Sequence, residues 1–378
     1  MKTLMVLCSA MMLVSCEKEW KIGNSAGTVL LPDAKVIPGG HCESSAMLNA
    51  LAYQGYEVNE SLIAGGGAAL SFAFEKGSFP WLSARNGDMR ELFFEASGIP
   101  WHKVVPADAS FGWKEIYALL KEGTPVVLRL DMRYLPYRYN GRYGSANQSF
   151  GWHMITLFGI DAEKETALVS DTEYRSMQTI ALKDLHKARS SDTKMYPPKG
   201  EFYWADKKKA GYALDWKVLV SSSLKNVVAN YEWRDDGKND KRIAGIAGMK
   251  EWGGVLADIE SYSNKKFLLP YVFEFMAGNI EDFGTGGASF RILYRDFLVQ
   301  AALHTSSAKL AAVIPLLDDA IVSWHGLSSE FREAGKTVGR LSESERKALY
   351  GKIQKTADEL WEKENKFYNA LKIVYTEG

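Results

Sequence analysis

Residues 39–54 read GGHCESSAMLNALAYQ, and this stretch decides the fold that the sequence predicts. The two glycines predict a tight turn. Residues 43–54 place apolar side chains such as Met47 and Leu51 at helical spacing, so a helix is predicted directly after the turn. Cys42 therefore stands at the start of a predicted helix.

The cysteine content narrows the available chemistry to one thiol. Of three cysteines, Cys8 and Cys16 lie within the first 16 residues, which leaves Cys42 for the body of the chain. A single cysteine supports neither a disulfide framework nor a thiolate zinc site. A lone cysteine is usually a buried apolar side chain. A helix N-terminus, however, stabilises a thiolate and offers N–H groups to an oxyanion, so this position favours a nucleophile.

The strand that begins at His153 supplies the predicted general base. Residues 154–160 read MITLFGI, an apolar run that predicts a buried strand, and a rigid element would hold the imidazole. His41 is the competing histidine, because it adjoins the cysteine. Neighbouring residues at a turn point in different directions and seldom bond each other, so His153 is preferred.

Asp171 is the predicted carboxylate that orients His153. It follows the run TALVS, residues 166–170, which predicts the next strand of a hairpin. Adjacent antiparallel strands bring their ends together, so we expect a hydrogen bond between the two side chains. Asp161 is the alternative, but it lies in the hairpin loop. Cys42, His153 and Asp171 in this order predict the triad of a papain-type cysteine enzyme.

The order of the predicted elements indicates an α+β fold, because helices precede strands in the first half. We predict a lipoprotein signal peptide over residues 1–15, a papain-like cysteine-enzyme domain over 16–180 and a mainly α-helical domain over 181–378. A polar stretch rich in Lys and Pro, residues 190–212, suits an insertion or linker. Helices are predicted over residues 43–54, from 60 into the glycines at 65–67, and over 90–96, 113–121 and 290–303. A further helix is predicted after the capping box Ser342-x-x-Glu345. Strands are predicted over residues 124–130, 154–160 and 166–170.

The N-terminus has the pattern of a bacterial lipoprotein signal. Its apolar run, residues 3–14, is too short for a stable membrane anchor and suits a signal-peptide core. The run ends in Leu13-Val14-Ser15-Cys16, which resembles a lipobox, and charged residues follow at once. An ordinary secretory signal or a misassigned start is the alternative. We expect a lipid on Cys16 and a cell-envelope location, in the outer membrane or facing the periplasm, and no later stretch that spans a membrane.

Composition excludes several other classes of protein. The chain has 378 residues and a mass of 42.2 kDa, which suits two domains. With 46% hydrophobic and 24% charged residues, it is globular rather than disordered. Its 46 Lys and Arg are balanced by 46 Asp and Glu, so the basic excess of a nucleic-acid binder is absent and no nucleic-acid partner is expected.

Several motifs, in order, resemble the butirosin biosynthesis protein H family. The N-terminal domain of that family is matched by residues 41–46, 65–67 with Phe72, 125–137, 152–161 and 170–172. Its following helical domain is matched by residues 283–287, 290–291, 293–294 and 296–298. The resemblance implies a papain-like enzyme in which Cys42 is the nucleophile, His153 the base and Asp171 the orienting group. The named member is an acyltransferase that moves an aminoacyl chain from an acyl carrier protein to an aminoglycoside amine.

One element of papain-like sites is absent from the sequence. Papain-like peptidases usually supply a glutamine for the oxyanion hole a few residues before the cysteine. Residues 34–41 read AKVIPGGH and contain neither Gln nor Asn. The hole would then rest on the N–H of Cys42 and one further donor.

Other motifs keep two interpretations. Asp131, Tyr134 and Tyr137 line a polar substrate cleft or form a strand end with packed aromatic rings. The glycines at 65–67 indicate close backbone packing rather than a phosphate cradle, since the phosphate-loop ending is missing. The glycines at 284–287 indicate a helix-start turn, with a lid over the cleft and Arg291 facing an anionic group as the second interpretation.

The sequence thus predicts a cell-envelope lipoprotein that forms a thioester on its cysteine and passes an acyl or aminoacyl group to an amine. A papain-like peptidase or amidase that uses water as acceptor is one alternative, and a non-catalytic envelope binding protein is another. The expected partners are an acyl donor, an amine or water acceptor and the membrane. No metal ion or other cofactor is expected.

Overall fold

A computed structural model describes residues 27–77, 79–85, 88–107, 111–139, 149–233, 242–263 and 266–377. The predicted signal peptide, residues 1–15, and the predicted lipidation site, Cys16, lie outside these ranges. The described part of the chain is α+β, as the element order predicts, with an antiparallel sheet in the first half and mainly helices in the second.

A seven-stranded sheet forms the centre of the first half. Six strands follow the order β4-β9-β5-β6-β7-β8, and β1 pairs with the far end of β6. All of the pairings between these strands are antiparallel. The strands are β1 (Val29–Leu30), β4 (Trp101–Val104), β5 (Val126–Leu130), β6 (His153–Asp161), β7 (Thr166–Ser170), β8 (Gln178–Ala181) and β9 (Phe202–Ala205).

Strand β9 corrects the prediction of an insertion or linker over residues 190–212. It lies inside the sheet and pairs with β4 on one side and β5 on the other. Its residues Phe202, Tyr203 and Ala205 are buried, although the flanking sequence is polar. The sheet of the first half therefore extends beyond the predicted boundary at residue 180.

The second half joins the first through a smaller sheet of three strands. This sheet has the order β10-β2-β3, with antiparallel pairing, so a strand from the second half extends a hairpin of the first. Its strands are β2 (Leu70–Glu75), β3 (Trp81–Arg85) and β10 (Arg242–Ala244). One hydrophobic core also spans both halves, from Phe72 and Phe93 to Trp252, Trp324 and Phe367.

Twelve α-helices surround the two sheets in the described part of the chain. The predicted helices are confirmed within a few residues, and α4 has the predicted bounds. The predicted capping box is present, with Ser342 N donating to Glu345 Oε2 over 2.7 Å. The helices are α1 (Cys42–Tyr53), α2 (Glu60–Gly66), α3 (Met89–Ser97), α4 (Trp113–Lys121), α5 (Leu182–Ser190), α6 (Trp216–Glu232), α7 (Gly245–Ala257), α8 (Ile259–Tyr262), α9 (Leu269–Glu281), α10 (Arg291–Thr305), α11 (Ala308–Thr337) and α12 (Glu343–Glu377).

Helix α11 corrects the expectation that no later stretch has the length and hydropathy of a membrane span. Among the described residues, Ala308–Arg340 meets that criterion, with a mean hydropathy of 1.3 over an 18-residue window. One side of the helix, which includes Leu317 and Trp324, is buried in the shared core. Its apolar character is thus used, at least on this side, for packing against neighbouring helices.

Candidate active site

Cys42 is the first residue of α1, as the turn at residues 39–42 predicts. His41 caps this helix: its side chain accepts a hydrogen bond from Ser44 N. The thiol is half-buried and lies 3.9 Å from the carbonyl oxygen of Trp152, and His153 lowers its pKa. The first N–H groups of a helix have no intrahelical acceptor, so the N–H of Cys42 can donate to a group that binds at the thiol.

His153 and Asp171 are joined by the predicted hydrogen bond. His153 Nε2 lies 2.9 Å from Asp171 Oδ1, and both side chains are buried. The register of β6 and β7 pairs Thr156 with Ser170, so Asp171 follows at the end of the neighbouring strand. Asp161, the alternative, lies at the other end of β6 and is bonded to Lys164 and Thr28.

Two further side chains hold the second oxygen of Asp171. Arg138 Nη1 donates to Oδ2 over 2.8 Å, and the Tyr137 hydroxyl donates to the same atom over 3.0 Å. Thr172 N donates to Oδ1 over 2.7 Å. The carboxylate is therefore fixed from four directions, and it can hold the His153 ring in one orientation.

The pKa values at this site favour a thiolate beside an imidazolium. Burial alone would raise the pKa of Cys42, but the charge of His41 and hydrogen bonds with His153 and His41 hold that pKa well below its ordinary value. Burial alone would lower the pKa of His153, whereas the charge and hydrogen bond of Asp171 raise it to about 9. Burial opposes ionisation of Asp171, yet His153 and Arg138 keep the pKa of its carboxyl well below the usual range.

Glu60 holds the turn that precedes the cysteine, and sequence reasoning missed it. Its Oε2 accepts from Gly40 N over 2.7 Å, and its Oε1 accepts from His41 N over 2.8 Å. The Ser44 hydroxyl donates to the same Oε1 over 2.9 Å. An acidic residue at this position predicts only that a helix begins there. Nothing in the sequence shows that α2 lies against the turn that carries Cys42.

The three predicted substrate-binding residues have different surroundings in the structure. Asp131 has 0% of its surface exposed, and its carboxylate accepts from Arg133 N, Phe150 N and two serine hydroxyls, so it fixes loops rather than facing a substrate. Tyr137 donates to Asp171 and therefore positions the triad. Tyr134 is half-buried beside the core of the first half, and its substrate role stays a prediction.

The second half of the chain reaches the turn that carries Cys42. A Cβ added to Gly40 would lie 2.8 Å from Gly286 Cα, so the two turns are in close backbone contact. The ring of Phe290 meets the ring of His41 edge to face, with centroids 5.1 Å apart. The first interpretation of the glycines at 284–287, a helix-start turn, is confirmed, because α10 begins at Arg291. The second, with Arg291 facing an anionic group over the cleft, is wrong, because its guanidinium is fully buried and paired with Glu364 over 2.7 Å.

The glycines at 65–67 confirm the interpretation of close packing. A Cβ on Gly65 would overlap the Phe297 side chain, and one on Gly67 would overlap Met89 O. Within the described ranges, no group of three or more His, Cys, Asp or Glu side chains could hold a metal ion.

These observations define an α+β protein whose first half brings a cysteine, a histidine and an aspartate together at a helix N-terminus. Residues 41–172 match the family model described as butirosin biosynthesis protein H, N-terminal, and residues 183–371 match a domain of unknown function, DUF4872. The chain belongs to the family in which these two domains follow each other. The first of them suggests an acyltransferase-like function. No curated protein matches the chain.

Proposed function

We propose that this protein transfers an acyl group to an amine through a thioester on Cys42. The observation that carries the proposal is the hydrogen bond that joins His153 to Asp171 beside the helix start that carries Cys42, with His153 lowering the pKa of the thiol. The acyltransferase-like character of the N-terminal family supports the same chemistry.

The arrangement gives each residue of the triad one task. The Cys42 thiolate attacks the acyl carbonyl carbon, and the protonated His153 delivers its proton to the leaving group of the donor. Neutral His153 then takes a proton from the incoming amine as that amine displaces the thiolate. Asp171 keeps the imidazole oriented through both steps.

The contacts that the second half makes with the cysteine turn favour an amine rather than water as the acceptor. Gly286 packs on Gly40, and Phe290 packs on His41, so the second half closes one side of the nucleophile turn. His153 and Asp171 are buried as well. A site with restricted access to water preserves a thioester until an amine arrives.

Intact-protein mass spectrometry tests this proposal. The protein is loaded with the butyryl thioester of N-acetylcysteamine, and the adduct is followed with and without a polyamine or amino-sugar acceptor. We expect an adduct on Cys42 that decays slowly in buffer and faster with amine, and no adduct in Cys42→Ala. Rapid decay that amine does not change would assign a hydrolase, and no adduct with any of a broad panel of donors would favour a binding protein.

Two aspartate variants provide a matched pair for the same assay. Asp171→Asn should slow adduct formation by roughly 10³-fold, because the imidazole loses its orienting charge. Asp161→Asn changes the same residue type at the hairpin end and should leave the rate unchanged. Equal rates in the two variants would contradict the assignment of Asp171.

We also propose that the protein is anchored in the cell envelope through Cys16. The support is the apolar run that ends in Leu-Val-Ser-Cys, followed at once by charged residues. Cys16→Ala should release the protein from the membrane fraction or leave it unprocessed. Wild-type protein recovered from the cytosol with Met1 still attached would contradict this location.

A further inference from the structure

The ring of His41 is held so that its Nε2 atom carries a hydrogen. The N–H of Ser44 is fixed by the helix and points at Nδ1 over 3.3 Å, so neutral His41 accepts at Nδ1 and is protonated at Nε2. If His41 is doubly protonated, Nδ1 can donate to the Ser44 hydroxyl over 3.1 Å, and that hydroxyl donates to Glu60. Nε2 is a donor in both states.

The same ring is held close to the nucleophile. The side chain is 5% exposed and interacts with the Cys42 thiol, whose pKa it lowers. Since Nδ1 is engaged by Ser44, we assign the contact with the thiol to Nε2. Phe290, from the second half of the chain, packs against the His41 ring, and Glu60 accepts from the His41 backbone N–H. Both the side chain and the backbone of His41 are therefore fixed.

We propose that His41 is a catalytic residue whose Nε2–H donates a hydrogen bond to the oxyanion formed at Cys42. With the N–H of Cys42 as the other donor, this completes an oxyanion hole that lacks the glutamine of papain-like enzymes. A preorganised donor in a buried site stabilises the developing charge strongly, because it needs no reorganisation during the reaction. The inference rests on the thioester chemistry proposed above.

The step is balanced without any further reactant. The thiolate sulfur forms a bond to the carbonyl carbon, and the π electrons of the carbonyl move to its oxygen. His41 donates a hydrogen bond to that oxygen and keeps its proton. When the carbonyl re-forms, the bond to the leaving group breaks, and the leaving group takes its proton from His153.

The test compares two reactions of Cys42, of which only one forms an oxyanion. Acylation by the butyryl thioester passes through a tetrahedral intermediate, whereas alkylation by iodoacetamide does not. At pH 8.5, where His153 is still mostly protonated and lowers the pKa of the thiol, His41→Ala should slow acylation by about 10²-fold and change alkylation by less than about threefold. His41→Gln restores a side-chain N–H donor and should recover a measurable part of the acylation rate.

Controls separate this role from loss of folding or of the thiolate. His102→Gln makes the same change at an exposed histidine on β4, three strands away from β6, and should leave both reactions unchanged. Equal losses in acylation and alkylation, or no loss in either, would overturn the role of His41 alone. Absence of an adduct in the wild-type protein would overturn the proposed function and this inference with it.

Discussion

At the scale of single residues, the site consists of charged side chains that are buried in contact with one another. Asp171 and Arg138 are paired over 2.8 Å with little solvent contact, and His153 adds a second positive partner. A buried charge that loses its partner is strongly destabilising, so each member of the set depends on the others. The lowered pKa of Cys42 and the raised pKa of His153 favour a thiolate and an imidazolium side by side.

The shifted pKa values predict different pH profiles for alkylation and acylation of Cys42. Alkylation needs only the thiolate, so it should stay fast well below pH 8.5, the ordinary pKa of a thiol. Acylation also needs a protonated His153, whose pKa is raised to about 9, so its rate should fall as the pH rises through about 9. Stopped-flow or quenched kinetics with the two reagents measures both profiles.

The variant His153→Ala provides the control for these profiles. Without the imidazolium, the pKa of Cys42 should rise, and alkylation at pH 6.5 should slow at least about tenfold while the rate at pH 10 changes little. A wild-type alkylation profile with a single rise near pH 8.5 would show that the thiol is ordinary and would contradict the ion pair.

At the scale of elements, a left-handed turn carries the contact between the two halves. Five consecutive residues have positive φ: Gly286, Gly287, Ala288, Ser289 and Phe290, with values from 45° to 88°. For residues other than glycine this conformation costs about 1–2 kcal/mol each. Phe290 N donates to Thr285 O, and Arg291 donates to Ser289 O, so neighbouring contacts hold the turn. Strain of this kind is often located at functional sites.

The turn leads to a prediction for Gly286→Ala. At φ +67°, an added Cβ would be strained and would lie 2.7 Å from the Leu293 side chain, so the turn should shift against Gly40. We expect a loss of about 1–2 kcal/mol in the free energy of unfolding and acylation of Cys42 at least about tenfold slower. Thermal or urea unfolding and the adduct assay measure the two effects.

The matched control for this variant is Gly98→Ala. Gly98 has the same φ of +67°, but nothing lies within 4 Å of an added Cβ, and it ends α3. It should lose a similar amount of stability and keep the full acylation rate. If both variants lose acylation equally, the effect of the turn on the site is only a consequence of lower stability.

At the scale of the whole molecule, the two halves share strands and a core. Strand β10 extends the sheet of β2 and β3, and Ser223 in α6 donates to Gly65 O over 2.7 Å. Arg291 in the second half donates to Ser71 O in the first. Because the two halves share strands and a core, we expect them to unfold together as one cooperative unit.

This sharing predicts that the fragment 27–180 does not fold by itself. It lacks β9, so β4 loses its partner in the sheet, and it exposes the faces of Phe72 and Phe93 that contact the second half. For the fragment, we expect a weak near-ultraviolet circular dichroism signal and no cooperative unfolding transition in urea. For the chain from residue 27 to 378, we expect a single transition. A cooperative transition in the fragment would contradict the shared core.

The positions of Cys42, His153 and Asp171 could be predicted from the sequence because local signals fix them. Two glycines and a run with apolar residues at helical spacing place the cysteine at the start of α1. His153 and Asp171 are 18 residues apart on adjacent strands, so the hairpin alone brings them into hydrogen-bonding distance. Turn chemistry and hydrophobic periodicity act within such short stretches and can be recognised without the rest of the fold.

Only the tertiary structure decided what surrounds these three residues. Strand β9 is only four residues long within a polar stretch, so its aromatic residues give too short a signal to predict a strand that pairs with β4 and β5. Glu60 reaches the cysteine turn across 19 residues, and Phe290 reaches His41 across almost 250. Such contacts form because both halves bury apolar surface in one core, and burial depends on the assembled fold rather than on any local pattern.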